Sequence, residues 1–137
     1  MAPLSGAVRA FVYYTVFSAI VHFIGETWVH LAYGQFLPML LVDYIAISLL
    51  LLGALGYLRW GWGPGLICGG WGFTFCLNYR ALFWRVEAML DGSADVVITN
   101  TAYVLGAALV LSAAAFLISV LICIADAKRS PIVQVTP

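Results

Sequence analysis

Three ionisable residues in the first hydrophobic segment are the part of this sequence best suited to chemistry. His22, Glu26 and His30 recur at every fourth position of an otherwise apolar run. On an α-helix, successive members of this set are displaced by about 40°, so all three side chains share one broad face. Imidazole beside carboxylate is typical of metal sites and of proton relays. Charge in such an apolar segment needs a structural or functional reason.

One interpretation is a metal site built on His22, Glu26 and His30, with Asp43 as a further ligand. These residue types bind zinc, iron and copper. The spacing limits this interpretation, because about 12 Å of helix axis separates the two histidines and one ion cannot easily reach both. Two ions bridged by Glu26, or an ion shared across a homodimer, stay open. So does the alternative that the histidines only hydrogen-bond Glu26.

Haem and small amphiphiles are the other candidate ligands. The same spacing prevents His22 and His30 from both ligating one haem, and the sequence lacks a C-x-x-C-H attachment motif. Ligation by one histidine, or completed by another subunit, stays open. A proton relay needs polar residues across the whole membrane, whereas here they occupy one half. This favours a one-sided pocket for a lipid, quinone or other small amphiphile over conduction.

The composition identifies the class of protein that carries these residues. Of 137 residues, 64% are hydrophobic and only 9% are charged, whereas a soluble domain has about a quarter charged residues. The length leaves room for four spans of about 20 residues. The net charge is zero and no basic patch suited to nucleic acid occurs. We therefore predict an all-α integral membrane protein with four transmembrane helices in an antiparallel up-down-up-down bundle.

Glycine, proline and capping residues divide the chain into helices. Gly34 is placed to end the first helix, and Pro38 and Pro64 are placed to begin the second and third. Gly92 and Asp95 are a candidate C-cap and N-cap. The predicted single domain covers residues 1–125, with helices over about 9–32, 38–59, 64–90 and 96–125, and residues 126–137 form a polar, flexible cytoplasmic tail.

Basic residues near the predicted helix ends give the orientation. Arg9, Arg59, Lys128 and Arg129 fall on one side, while the basic residues of the other side are diluted by acidic ones. The positive-inside rule then places both termini in the cytoplasm. The expected location is a bacterial-type inner membrane or a plasma membrane.

This orientation brings polar residues from three helices to a similar depth in the outer half of the bundle. Arg80 is the cation expected to face the carboxylates Glu26 and Asp43. Asn78 lies about 200° from Arg80 on the helix, so these two side chains cannot share a face. The predicted binding or polar cluster contains His22, Glu26, His30, Asp43, Asn78 and Arg80.

The three cysteines have a simpler interpretation. Cys68, Cys76 and Cys123 all lie inside hydrophobic segments and form no C-x-x-C pair. An odd number of cysteines in apolar surroundings is typical of small packing residues, not of a disulfide framework.

Two functions follow from the sequence. The preferred hypothesis is an accessory subunit of a larger membrane complex or a homo-oligomer, because the third helix carries polar residues on two faces and a glycine-lined surface. The alternative is a membrane-embedded protein that binds an amphiphile, a metal ion or haem at the polar cluster. Catalysis has little support, since Ser18 beside His22 lacks an identifiable oxyanion donor.

Overall fold

The computed structural model describes residues 5–34 and 36–129, and every regular element within them is a helix. The helices are α1 (Gly6–Tyr33), α2 (Leu37–Trp60), α3 (Pro64–Leu90) and α4 (Val96–Arg129). The predicted all-α class with four helices is therefore confirmed. Helix α4 continues beyond residue 125 into the segment predicted as tail, and residues 130–137 of that segment lie outside the described residues.

Local hydrogen bonds explain where α1 begins and ends. The Ser5 side chain accepts a hydrogen bond from the backbone N–H of Val8, so α1 begins at Gly6, within a turn of the predicted start at about residue 9. At the other end, Gly34 adopts φ +69°, and its N–H donates to the His30 carbonyl at 2.9 Å. A left-handed glycine that closes the last turn is a common helix C-cap. The predicted role of Gly34 is confirmed.

The connection between α3 and α4 is tied by short-range hydrogen bonds. Gly92 has φ +77°, and the backbone N–H groups of Ser93 and Ala94 both donate to the Ala88 carbonyl. The Ser93 side chain and backbone N–H also hold the pKa of the Asp91 carboxyl below its ordinary value. The side chain of Asp95 accepts a hydrogen bond from the Ile98 N–H at 2.7 Å. The C-cap of α3 is Asp91 and not the predicted Gly92, which adopts the left-handed conformation one residue later. Asp95 acts as the predicted N-cap of α4.

Three of the four helices, α1, α2 and α4, are long and apolar enough to cross a membrane. Helix α3 is as long but less apolar, because it contains Arg80, Arg85 and Glu87 together with several glycines. Large apolar side chains cover much of the exposed surface on α1, α2 and α4. Such a surface is expected where lipid, and not water, surrounds the helices.

The buried core lies toward the α2–α3 turn. Trp71 of α3 is almost fully buried, and its indole N–H donates to the hydroxyl of Thr15 in α1 at 3.1 Å. Thr15 in turn donates to the Phe11 carbonyl, so this buried polar group is satisfied. Apolar residues from all four helices complete this core: Phe11, Val12, Ala19, Ile47, Leu50, Ala54, Tyr57, Ile67 and Ala115.

Glycines allow α2 and α3 to pack closely. A Cβ atom at Gly53 would lie 2.7 Å from the backbone nitrogen of Ile67, and one at Gly70 would lie 2.7 Å from the side chain of Leu50. A side chain at Gly53 would require the backbone of α3 to shift, and one at Gly70 would require the buried Leu50 side chain to shift. Close backbone approach through small residues is the usual packing mode of membrane helices.

Candidate functional site

The side chains of His22, Glu26 and Asp43 meet between α1 and α2. Nε2 of His22 lies 3.7 Å from Oε1 of Glu26 and 3.8 Å from Oδ1 of Asp43. One ligand atom from each residue lies within 4.8 Å of the other two. No other group of three histidine, cysteine or acidic residues within 5–34 and 36–129 is as close. We call these three residues the His22–Glu26–Asp43 cluster.

The cluster is largely but not wholly buried. The exposed fractions of its side chains are 19% for His22, 28% for Glu26 and 14% for Asp43. Two carboxylates in such a site carry up to two negative charges, and burial makes their charge costly unless cations or hydrogen-bond donors compensate for it. Both carboxylates and His30 make further interactions, so none of these three side chains is isolated.

The helical framework explains why these residues meet. His22 and Glu26 are one turn apart on α1, where i and i+4 side chains are neighbours. After the left-handed Gly34, α2 begins at Leu37 and returns alongside α1. Asp43, in the second turn of α2, is therefore brought opposite His22. Sequence spacing predicted the first contact, and the short connection accounts for the second.

A hydrogen bond beside the cluster fastens the two helices together. Oγ1 of Thr27 and the phenolic oxygen of Tyr44 are 2.8 Å apart. Thr27 already donates its proton to the Phe23 carbonyl at 2.6 Å, so Tyr44 is the donor in this pair. These residues directly follow Glu26 and Asp43 in the chain. The Thr27–Tyr44 bond thus fixes the separation of the two backbones that carry the carboxylates.

His30 lies outside the three-residue cluster. It is half-buried in the last turn of α1, two turns beyond His22, and its carbonyl accepts the capping hydrogen bond from Gly34. A basic residue in the last turn interacts favourably with the negative end of the helix dipole. Of the predicted metal ligands His22, Glu26 and His30, the fold brings the first two together and places Asp43, not His30, beside them.

Two polar residues of α3, Asn78 and Arg85, turn toward α4. Nδ2 of Asn78 donates to the hydroxyl of Ser112 at 3.3 Å, and Nε of Arg85 donates to the hydroxyl of Thr101 at 2.9 Å. Asn78 and Arg85 do share a helix face, as their spacing predicts, but that face contacts α4 and not α1. Asn78 is therefore a packing residue of the α3–α4 pair and lies apart from the His22–Glu26–Asp43 cluster.

Arg80 does not face the carboxylates. Its side chain is exposed on α3, and no hydrogen bond or ion pair joins it to another residue in the described part of the chain. The physical reason lies in the helix period: once Asn78 and Arg85 point toward α4, Arg80 must point away from it. Of the six residues predicted to form one cluster, His22, Glu26 and Asp43 lie together. The other three, His30, Asn78 and Arg80, lie outside it.

A second pair of chemically reactive groups was missed by sequence reasoning. The thiols of Cys68 in α3 and Cys123 in α4 interact directly, although 54 residues separate them in the chain. No local motif reveals such a pair. Only the positions of the two cysteines in the sequence could have indicated the pair. Cys68 lies near the start of α3 and Cys123 near the end of α4. Two antiparallel helices joined by a short loop bring these two ends together.

The His22–Glu26–Asp43 cluster has the donor set and nearly the spacing of a metal site. Two ligand atoms of a tetrahedral zinc ion are about 3.4 Å apart when each bond is about 2.1 Å long. The separations of 3.7 and 3.8 Å around His22 exceed this value by only a few tenths of an ångström. Three protein ligands would leave a coordination position for water or another ligand.

Comparison with protein-family models, with curated proteins and with solved structures found no match to this chain.

Proposed function

We propose that this chain is an integral membrane protein that binds a divalent transition-metal ion between α1 and α2. One observation carries the proposal: His22, Glu26 and Asp43, from two different helices, present three ligand atoms within 4.8 Å of one another. The residue types agree with the metal alternative predicted from sequence, with Asp43 taking the place of His30.

The ligand chemistry selects the class of ion. Two carboxylates and one imidazole combine hard and borderline donors, a set that suits Zn²⁺, Mn²⁺ or Fe²⁺ better than Cu⁺ or Ca²⁺. A divalent ion also neutralises both carboxylates, which lowers the cost of placing them at membrane depth. Haem is a poorer fit, because Nε2 of His22 faces two carboxylates where the haem iron would have to lie.

The proposed topology is an antiparallel bundle in which α3 is a fourth span. Residues from the beginnings of α1 and α3 and the ends of α2 and α4 lie around one small cavity, which supports this arrangement. Both termini would then be cytoplasmic. In sealed vesicles of a chain with Cys68, Cys76 and Cys123 replaced by alanine, a membrane-impermeant maleimide should reach Gly61→Cys and Ser93→Cys from opposite sides. Labelling of both from the same side would exclude α3 as a span.

Zinc titration of the full chain in lipid nanodiscs tests the metal proposal. We expect one ion per chain, and at least about tenfold weaker binding in Glu26→Gln, because even outer-shell substitutions at metal sites cost about 10–100-fold. Glu87→Gln is the matched control, since Glu87 is an exposed carboxylate on α3, away from the cluster. Equal affinity of Glu26→Gln and the unmodified chain would contradict the proposal.

A second candidate function is the formation of a homo-oligomer, and one face of α3 favours it. Arg80 and Glu87 are both exposed, and a spacing of seven residues puts them on the same side of the helix. A charge at membrane depth costs about 3 kcal/mol unless it finds a partner. In a second copy with the same membrane orientation, Arg80 and Glu87 lie two turns apart in depth, and their long side chains can reach along the paired helices toward the opposite charge. We propose that this face forms the interface.

A further inference from the structure

A side-chain hydrogen bond links the thiols of Cys68 and Cys123 across the α3–α4 interface. Other contacts along the same interface agree with this placement. A Cβ atom at Gly72 would meet the ring of Phe116 at 3.0 Å, and Asn78 hydrogen-bonds to Ser112. Moving from Asn78 to Gly72 along α3 moves the contact point from residue 112 to residue 116 of α4. One helical turn before Gly72, at Cys68, the facing part of α4 is therefore the turn after Phe116, which contains residues 117–120 and is followed by Cys123.

The start of α3 lets the neighbouring helix approach. Gly72 lies against the ring of Phe116, so α3 and α4 approach each other closely one turn beyond Cys68. Small residues on this stretch allow the two backbones to lie near each other. Both cysteines are only half-buried.

We propose that Cys68 and Cys123 form a redox pair, a dithiol that closes to an intramolecular disulfide and joins α3 to α4. In the closing reaction the two thiols lose two protons and two electrons as the S–S bond forms. A small-molecule disulfide is the oxidant, and it accepts those electrons as its own S–S bond is broken to give two thiols. Exchange with an excess of small-molecule thiol reverses the reaction.

The position of the pair suits exchange with a water-soluble partner. Cys68 lies about one turn from the beginning of α3, which follows the stacked rings of Trp60 and Trp62. Tryptophan side chains are typical of the membrane–water interface. Cys76 lies two turns deeper in α3 and is exposed, so it is the natural reference thiol.

The test is oxidation of the folded chain in nanodiscs with oxidised glutathione, followed by alkylation and intact-mass measurement. In the Cys76→Ala variant we expect oxidation to protect both remaining thiols from alkylation at the same time. The chain should still run as a monomer on a denaturing gel. Excess reduced thiol should restore both. The oxidised form should also unfold at a higher temperature than the reduced form, because the new bond restricts the unfolded chain.

A matched variant separates the pair from ordinary thiol reactivity. In Cys76→Ala/Cys123→Ser, we expect Cys68 to remain open to alkylation or to carry a single glutathione, with no change in unfolding temperature. Two thiols that stay open to alkylation in folded Cys76→Ala after oxidation would overturn the proposal. Disulfides formed between chains, and not within one chain, would overturn it as well.

Discussion

His22 is the residue that joins the two carboxylates, because its Nε2 lies 3.7 Å from Glu26 and 3.8 Å from Asp43. A single imidazole between acidic groups from two helices can ligate a metal ion that both carboxylates also reach. His30 has a different explanation at this scale. It occupies the last turn of α1, where a basic side chain complements the helix dipole.

The two histidines should therefore respond differently to substitution. We expect His22→Ala to weaken zinc binding by about tenfold or more, since a direct ligand is lost. In His30→Ala, zinc affinity should stay within about twofold of the unmodified chain, with a small loss of stability of about 0.3–1 kcal/mol from the helix end. Calorimetric zinc titration of both variants measures the difference.

The two histidine variants also distinguish between two ligand sets. The sequence predicted His22, Glu26 and His30, whereas the fold brings together His22, Glu26 and Asp43. A loss of affinity in His30→Ala as large as that in His22→Ala would restore His30 to the site. Sequence spacing placed His22 and His30 on one face, but a shared face does not bring residues 12 Å apart along the axis to one ion. The deciding contact, His22 with Asp43, depends on how α2 packs on α1.

At the scale of helices, the Thr27–Tyr44 hydrogen bond holds α1 and α2 in register beside the cluster. The ring of Tyr44 also packs against Phe23, with ring centres 5.3 Å apart. The hydroxyl of Tyr44 thus makes a polar contact with α1, and its ring makes an apolar contact with the same helix. Because the flanking residues Glu26 and Asp43 supply the carboxylates, this pair acts as a positioning device for the metal ligands.

Removing the Tyr44 hydroxyl should loosen the site without removing a ligand. A hydrogen bond between membrane helices contributes about 0.6 kcal/mol on average and up to about 1.7. We therefore expect Tyr44→Phe to weaken zinc binding by about three- to twentyfold, with the stoichiometry unchanged. Isothermal titration in nanodiscs gives both quantities in one experiment.

Tyr103→Phe is the control for that substitution, because Tyr103 is exposed on α4 and its hydroxyl has no partner in the described ranges. An unchanged affinity in Tyr44→Phe would show that the hydrogen bond does not position the ligands. The helices themselves were predictable from glycine, proline and caps. The pairing of Thr27 with Tyr44 was not, because helix periodicity does not say which face of one helix contacts the next.

At the scale of the whole molecule, α3 divides its polar residues between two environments. Asn78 and Arg85 are satisfied by α4, whereas Arg80 and Glu87 are exposed on the opposite side. The sequence predicted two polar faces on this helix and an interaction subunit or homo-oligomer from them. It could not predict that α4 takes the Asn78 face, since the partners there are two hydroxyl groups, of Ser112 and Thr101, and the Ala108 carbonyl of an otherwise apolar helix.

The exposed charges of α3 lead to a charge-reversal experiment on assembly. In mild detergent we expect the unmodified chain to form a dimer, and Arg80→Glu to be monomeric because like charges would then face each other. The double variant Arg80→Glu/Glu87→Arg should dimerise again, since opposite charges are restored. Native mass spectrometry gives the oligomeric state of each, and a double variant that stays monomeric would argue against this interface.

The metal site itself is tested most directly by X-ray absorption at the zinc edge, measured on the zinc-loaded chain in nanodiscs. We expect only nitrogen and oxygen neighbours, at about 2.0–2.2 Å, with the outer-shell scattering of one imidazole. That imidazole signal should vanish in His22→Ala at saturating zinc and persist in His30→Ala. A sulfur neighbour at about 2.3 Å, or an imidazole signal that survives in His22→Ala, would contradict binding at the His22–Glu26–Asp43 cluster.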